Sequence, residues 1–111
     1  MRFETYDRSL ALIRALRPIL PRVTKHDRKL AGHMRDAANS VALNLREGSR
    51  RLGKDRIYHY SVAAGSADEV QGSLLQSEAW GYLSLEELTE ALDLADRVLA
   101  MTYRLTHPRA P

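Results

Sequence analysis

The sequence predicts an all-α protein, an antiparallel up-down four-helix bundle, and three observations carry that prediction. Leu30 to Leu52 runs without proline, and its apolar residues fall at Leu30, Met34, Ala37, Ala38, Val41 and Leu45. That three- and four-residue spacing marks one face of a helix. Ser84 and Glu87 stand three apart, the spacing of a capping box, with Leu83 and Leu88 placed for a hydrophobic staple across it. No stretch alternates apolar and polar residues as a half-buried strand does, and the breaks between helical stretches are short. The 111 residues suffice for one domain, residues 1–111, with one core.

The first predicted helix covers about residues 4–23. Tyr6, Leu10, Ile13, Leu16 and Leu20 make its apolar stripe. Pro18 and Pro21 interrupt it, because each lacks a backbone N–H and crowds the preceding turn. The expectation is a kinked helix; the alternative is a stop near Arg17 and a restart. Thr24 to Asp27 form the turn, with Asp27 or Thr24 as N-cap. The second helix, about 27–51, ends before Gly53, a natural left-handed stop.

The third helix is expected over about 54–79. Tyr60, Ala63, Ala67, Val70 and Leu74 form one stripe, and Ile57, Ala64 and Leu75 a neighbouring one. Its middle is rich in small residues. Gly65 costs a helix interior about 1 kcal/mol relative to alanine, and a close helix crossing there is the expected reason. The fourth helix, about 84–106, carries Leu88, Leu92, Ala95 and Leu99 as its core stripe. Leu94, Met101 and Leu105 lie roughly opposite by the 100° helical step, and Leu43 likewise points away from the core face of the second helix. These four are the expected interface of a homo-oligomer, since self-association would bury them.

Composition narrows the function. Cysteine is absent, which excludes disulfides, thiolate metal sites and cysteine nucleophiles and suits a reducing cytoplasm. No apolar run approaches the roughly 20 residues of a membrane span, and the first residues lack a signal-peptide core. No membrane partner is expected. Net charge is +3, yet residues 1–56 carry 14 Lys/Arg against 6 Asp/Glu, and residues 57–111 carry 3 against 8. A basic half can attract RNA or DNA; it can equally pair with the acidic half, within or between copies.

The basic residues singled out for nucleic-acid binding are Arg35, Arg46, Arg50, Arg51, Lys54 and Arg56, with Tyr58 and Tyr60 close by. Asn44, Glu47, Ser66 and Glu69 are expected to form a structural polar network where the second and third helices cross. No catalytic constellation stands out, and no metal or cofactor is expected: no Glu-x-x-His pair exists for a bundle metal site. Arg28 and His33 spell the R-x-x-x-x-H of HEPN-type RNases, a less favoured alternative.

Three segments in order resemble a known family. Ala37-Ala38-Asn39-Ser40-Val41 with Asn44-Leu45-Arg46-Glu47-Gly48-Ser49-Arg50-Arg51 is similar to a segment of the proteins encoded in intervening sequences of bacterial 23S ribosomal RNA genes. Ala64-Gly65-Ser66 with Glu69 and Leu74, and then Gly81-Tyr82-Leu83, resemble later segments. The sequence departs from the pattern at His33, often glutamine there, and at Val23, where a proline is usual. The resemblance implies a four-helix bundle that assembles into a homopentameric ring. A related fold occurs in the accessory variability determinant of diversity-generating retroelements, a basic pentamer that works with a reverse transcriptase and RNA. By fold analogy alone, this adds a reverse transcriptase to the candidate partners.

The leading expectation is therefore a non-enzymatic homo-oligomer that binds RNA or a ribonucleoprotein through an arginine-rich face. A purely structural interaction scaffold is the second reading.

Overall fold

The computed structural model describes residues 3–107. Among them the chain is all-α: α1 (Glu4–Leu16), α2 (Ile19–His26), α3 (Arg28–Ser49), α4 (Gly53–Ala79) and α5 (Leu85–Thr106), with no strand. The first predicted helix is thus two. The backbone stays near helical values through Arg17 and Pro18, but helical hydrogen bonding lapses between Leu16 and Ile19. Pro18 has no N–H to offer Arg14, and Arg17 instead donates to the Arg14 carbonyl in a tighter turn. The restart at Ile19 leaves Pro21 in a first turn, where its missing N–H has no intrahelical partner to lose.

The other boundaries follow local chemistry. Asp27 caps α3 by accepting from the Leu30 N–H at 2.9 Å, while the Thr24 hydroxyl turns back to the Leu20 carbonyl. Gly53 has φ +58°, the predicted left-handed conformation, but it opens α4 rather than closing α3. At the far end of α4, Gly81 has φ +81°. Its N–H reaches the Glu78 carbonyl and that of Tyr82 reaches Ser77, the paired bonds of a Schellman stop. Ser84 and Glu87 form the expected reciprocal capping box.

Two apolar clusters run along a molecule about 46 Å long and 22 Å across. The larger includes Leu12, Leu16, Val23, Met34, Leu74 and Leu88. The smaller joins Val41, Leu45, Tyr60, Ala63, Ala67 and Val98. The pairings oppose successive helices. Early α3 shares the larger cluster with late α4 and early α5, whereas late α3 shares the smaller one with early α4 and late α5.

Several expected stripes sit differently. The buried line of α1 and α2 is Thr5, Ser9, Leu12, Leu16, Ile19 and Val23, so Tyr6, Ile13 and Leu20 pack on its flanks. Small Thr5 and Ser9 let α1 settle deeply, and the Ser9 hydroxyl is satisfied by the Tyr6 carbonyl. On α4, Ile57 and Leu75 face outward and do not form a second core stripe. On α5, Leu94 packs against the larger cluster and Leu105 against the smaller, with Met101 half-buried. α5 is covered on two sides by α1 and α4, so its apolar arc has to be wide. Of the four residues expected at an oligomer interface, Leu43 alone is largely exposed, at 69%.

Candidate nucleic-acid interface

The crossing of α3 and α4 is where sequence placed a polar network, and a network is there with three of the four expected members, Asn44, Glu47 and Ser66. Ser40, Asn44 and Gly48 stand four apart on α3, so they share one stripe. The buried Ser66 hydroxyl donates to Ser40 Oγ at 2.8 Å. Asn44 Nδ2 donates to the Ser40 carbonyl at 2.9 Å, which leaves Asn44 Oδ1 to accept from His59 Nδ1 at 3.0 Å. An amide oxygen can only accept, so Nδ1 carries the proton of that bond. His59 Nε2 lies 3.9 Å from Asp55, Asp55 pairs with Arg51, and Arg51 binds Glu47. The Arg51 guanidinium, hydrogen-bonded to Glu47, holds that carboxyl below the usual carboxylate range and is itself pushed up.

Glu47 therefore joins the network through Arg51, whereas Glu69 is exposed on α4 outside it. His59 and Ser40 complete what Asn44, Glu47 and Ser66 begin. The Ser-x-x-x-Asn-x-x-x-Gly stripe was the sequence signal that could have located it. Where the stripe ends, Gly48 lies hard against side chains of α4. A Cβ on Gly48 would stand 2.7 Å from the Tyr60 ring. At Gly65 it would meet nothing within 4 Å, so the close approach expected at Gly65 belongs to Gly48.

The six predicted nucleic-acid contacts divide by what already holds them. Arg51 is engaged by Glu47 and Asp55. Arg56 donates to the Gly48 and Ser49 carbonyls and so closes the C-terminus of α3. Arg46 lies over the Tyr6 ring, 5.6 Å from its centroid, a cation–π contact that steadies it and leaves its charge outward. Arg35, Arg50 and Lys54 are exposed. Tyr60 is buried, so of the two tyrosines only Tyr58 is open to stacking.

The helical step puts Arg28, Arg35, Asn39, Leu43, Arg46 and Arg50 on one outward arc of α3, a stripe about 33 Å long. None of its arginines pairs with a carboxylate among the described residues. Sequence reasoning missed Arg28 as part of this arc. It weighed Arg28 with His33 instead, and a separation of five residues turns those two side chains about 140° apart. Arg28 lines a cleft beside α2; His33 does not.

Other features of the described residues bear on chemistry. No cluster of three or more His, Asp and Glu side chains is placed to hold a metal. No helix is long and apolar enough to cross a membrane. At the end opposite the network, Tyr82 donates to Asp27 at 3.1 Å and stacks on His26, and Arg22 binds Glu87. Burial, then the bond to Asp27, pushes the Tyr82 phenol up. The Ser84 backbone and hydroxyl, and then Arg22, hold the Glu87 carboxyl below the usual range.

Comparison with known proteins agrees with the resemblance seen in the sequence. The family model described as 23S rRNA-intervening sequence protein matches residues 2–104, and the chain belongs to that family. A crystal structure from Bacteroides thetaiotaomicron, of a protein with unknown function from the S23 ribosomal protein family, superposes with a TM-score of 0.81. The two are 15% identical, and the match covers 92% of this chain and 97% of that one, a likeness of fold. No curated protein matches.

Proposed function

We propose that this chain is a non-enzymatic, self-associating four-helix bundle, in which α1 and α2 together act as one helix, and that it binds RNA through the outer face of α3. The single observation that carries the reading is the arginine arc. Arg28, Arg35, Arg46 and Arg50 project from one helix, and among the described residues none of them forms an ion pair with a carboxylate, although Glu47 feels the charge of Arg50. Guanidinium groups suit phosphate geometry, and a fixed row of them matches a polyanion without reading its sequence. Lys54 extends the face beyond α3. Arg51 and Arg56 serve the α3–α4 corner, so they support the face without contacting the ligand.

Self-association is favoured by the large apolar side chains left outside away from that arc: Leu52 and Trp80 are both more than half exposed. A homopentameric ring is the assembly that family membership suggests. Repetition of one weak basic face around such a ring would raise its avidity for a long strand. A ribonucleoprotein in the cytoplasm, with a reverse transcriptase as one candidate, is the setting this reading favours.

Filter binding with structured RNA at two salt concentrations tests the proposal. Retention is expected at low salt and should fall steeply as salt rises, and Arg46→Glu with Arg50→Glu should abolish it. Retention that ignores both changes would overturn the RNA reading. If the same reversals instead disperse the oligomer in sedimentation, the face serves contact between copies.

A further inference from the structure

A cleft opens where α1 gives way to α2, on the side facing α3, and it has two lobes. One, about 580 Å³, is ringed by Arg17, Arg28 and Arg35, with Thr24 on its wall. The other, about 210 Å³, is lined by Ile13, Leu16, Leu20 and Ala38, with Asn39 at its edge. Arg17 and Arg35 border both, so the cationic lobe and the apolar lobe adjoin. None of the three arginines has a carboxylate partner among the described residues.

Each lobe favours a different part of a ligand. Three unneutralised guanidiniums around one space favour a phosphate. An apolar slot with a carboxamide at its rim favours a flat heterocycle whose edge carries both donors and acceptors. We propose that this cleft binds a nucleoside 5′-phosphate, its phosphate among Arg17, Arg28 and Arg35 and its base in the apolar lobe beside Asn39. The nucleotide is either free or the 5′ end of a strand. In the second case the cleft would hold the end of a polymer lying along the α3 arc, a role that rests on the RNA reading above.

Calorimetric titration at low ionic strength tests the site with adenosine 5′-monophosphate, adenosine and inorganic phosphate as probes. The monophosphate is expected to bind at least about tenfold more tightly than either fragment. Arg35→Gln and Arg17→Gln are each expected to weaken it roughly tenfold, with Arg104→Gln on α5 without effect. These positions are exposed, and helix content by circular dichroism verifies that the variants fold. A short RNA with a 5′-phosphate, set against its 5′-hydroxyl form, separates the sources. Preference for the phosphorylated strand supports an end-binding cleft; equal binding of the two strands beside tight monophosphate binding supports a free nucleotide. Monophosphate binding no tighter than adenosine or phosphate, or indifferent to Arg35→Gln, overturns the proposal. RNA retention that still depends on Arg46 and Arg50 would then leave the RNA reading standing. Tight monophosphate binding without RNA retention would remove the RNA reading and keep the cleft.

Discussion

The two ends of the molecule are held together by different means. At the end built from α2, early α3, late α4 and early α5, large aliphatic side chains meet in the wider cluster. Contacts between helices at its rim are the Asp27–Tyr82 bond, the His26–Tyr82 stack and the Arg22–Glu87 pair, while buried Ser77 donates to the Ser73 carbonyl of its own helix. At the other end the core is smaller, made of Val41, Leu45, Tyr60, Ala63, Ala67 and Val98, and the Tyr60 ring leaves no room for a Cβ at Gly48. Hydrogen bonds between Ser40, Asn44, His59 and Ser66 occupy the seam. An aliphatic cluster specifies volume and little else. A hydrogen-bonded seam specifies register, because a slip of one residue strands each donor.

The largest expected effect tests the aliphatic end. Leu88 and Leu74 are fully buried in the wider cluster. Leu88→Ala should cost about 2–5 kcal/mol in urea denaturation, through lost transfer energy and the cavity left behind. A cost below about 1 kcal/mol would mean that this end repacks freely.

The next test concerns two glycines and has opposite signs. Gly48→Ala drives a methyl into the Tyr60 ring and should destabilise by about 1–3 kcal/mol. The cost should shrink in a Tyr60→Leu background, which a double-mutant cycle would read. Gly65→Ala places its methyl in open space on an exposed helix face and should stabilise by about 0.5–1 kcal/mol. Equal signs in thermal denaturation would erase the distinction between the crossing and the open face.

The smallest expected effect belongs to the rim. Glu87 accepts from Ser84 and Arg22 as a carboxylate, so its folded pKa lies below its unfolded one. Such a group stabilises above the unfolded pKa, and that contribution fades as pH falls through the folded value. Glu87→Gln should therefore flatten part of the stability loss on acidification below about pH 4 and change little at pH 8 beyond the weakened cap. An unchanged acid limb in thermal melts would show that the Arg22–Glu87 and capping contacts carry no pH dependence.

Legibility differed by the range of the interaction. The capping box at Ser84 and Glu87, the Asp27 cap and the positive φ at Gly53 are local events within a few residues, and sequence held all three. Which face of the first helix is buried was harder. Tyr6, Leu10 and Ile13 are more apolar than Thr5 and Ser9, yet the smaller residues are the buried ones. In the candidate interface, sequence located the basic arc on α3 but could not show that Arg51 and Arg56 are held within the chain. Nor could it show that Arg28 and Arg17, distant in sequence, border one cleft.

By itself the sequence determined where most helices run, the Asp27 and Ser84 caps and a disturbance at Pro18, because each depends on residues within about one helical turn, together with the surplus of arginine on one half. The tertiary structure decided that Gly48 and not Gly65 lies at the close approach. It also decided that Leu94 and Leu105 pack against the core clusters, and that two of the six basic candidates are already bound. Those outcomes depend on how helices are rotated about their axes against their neighbours. That rotation is set by the summed shape and charge of several surfaces at once, which no single stretch of chain carries.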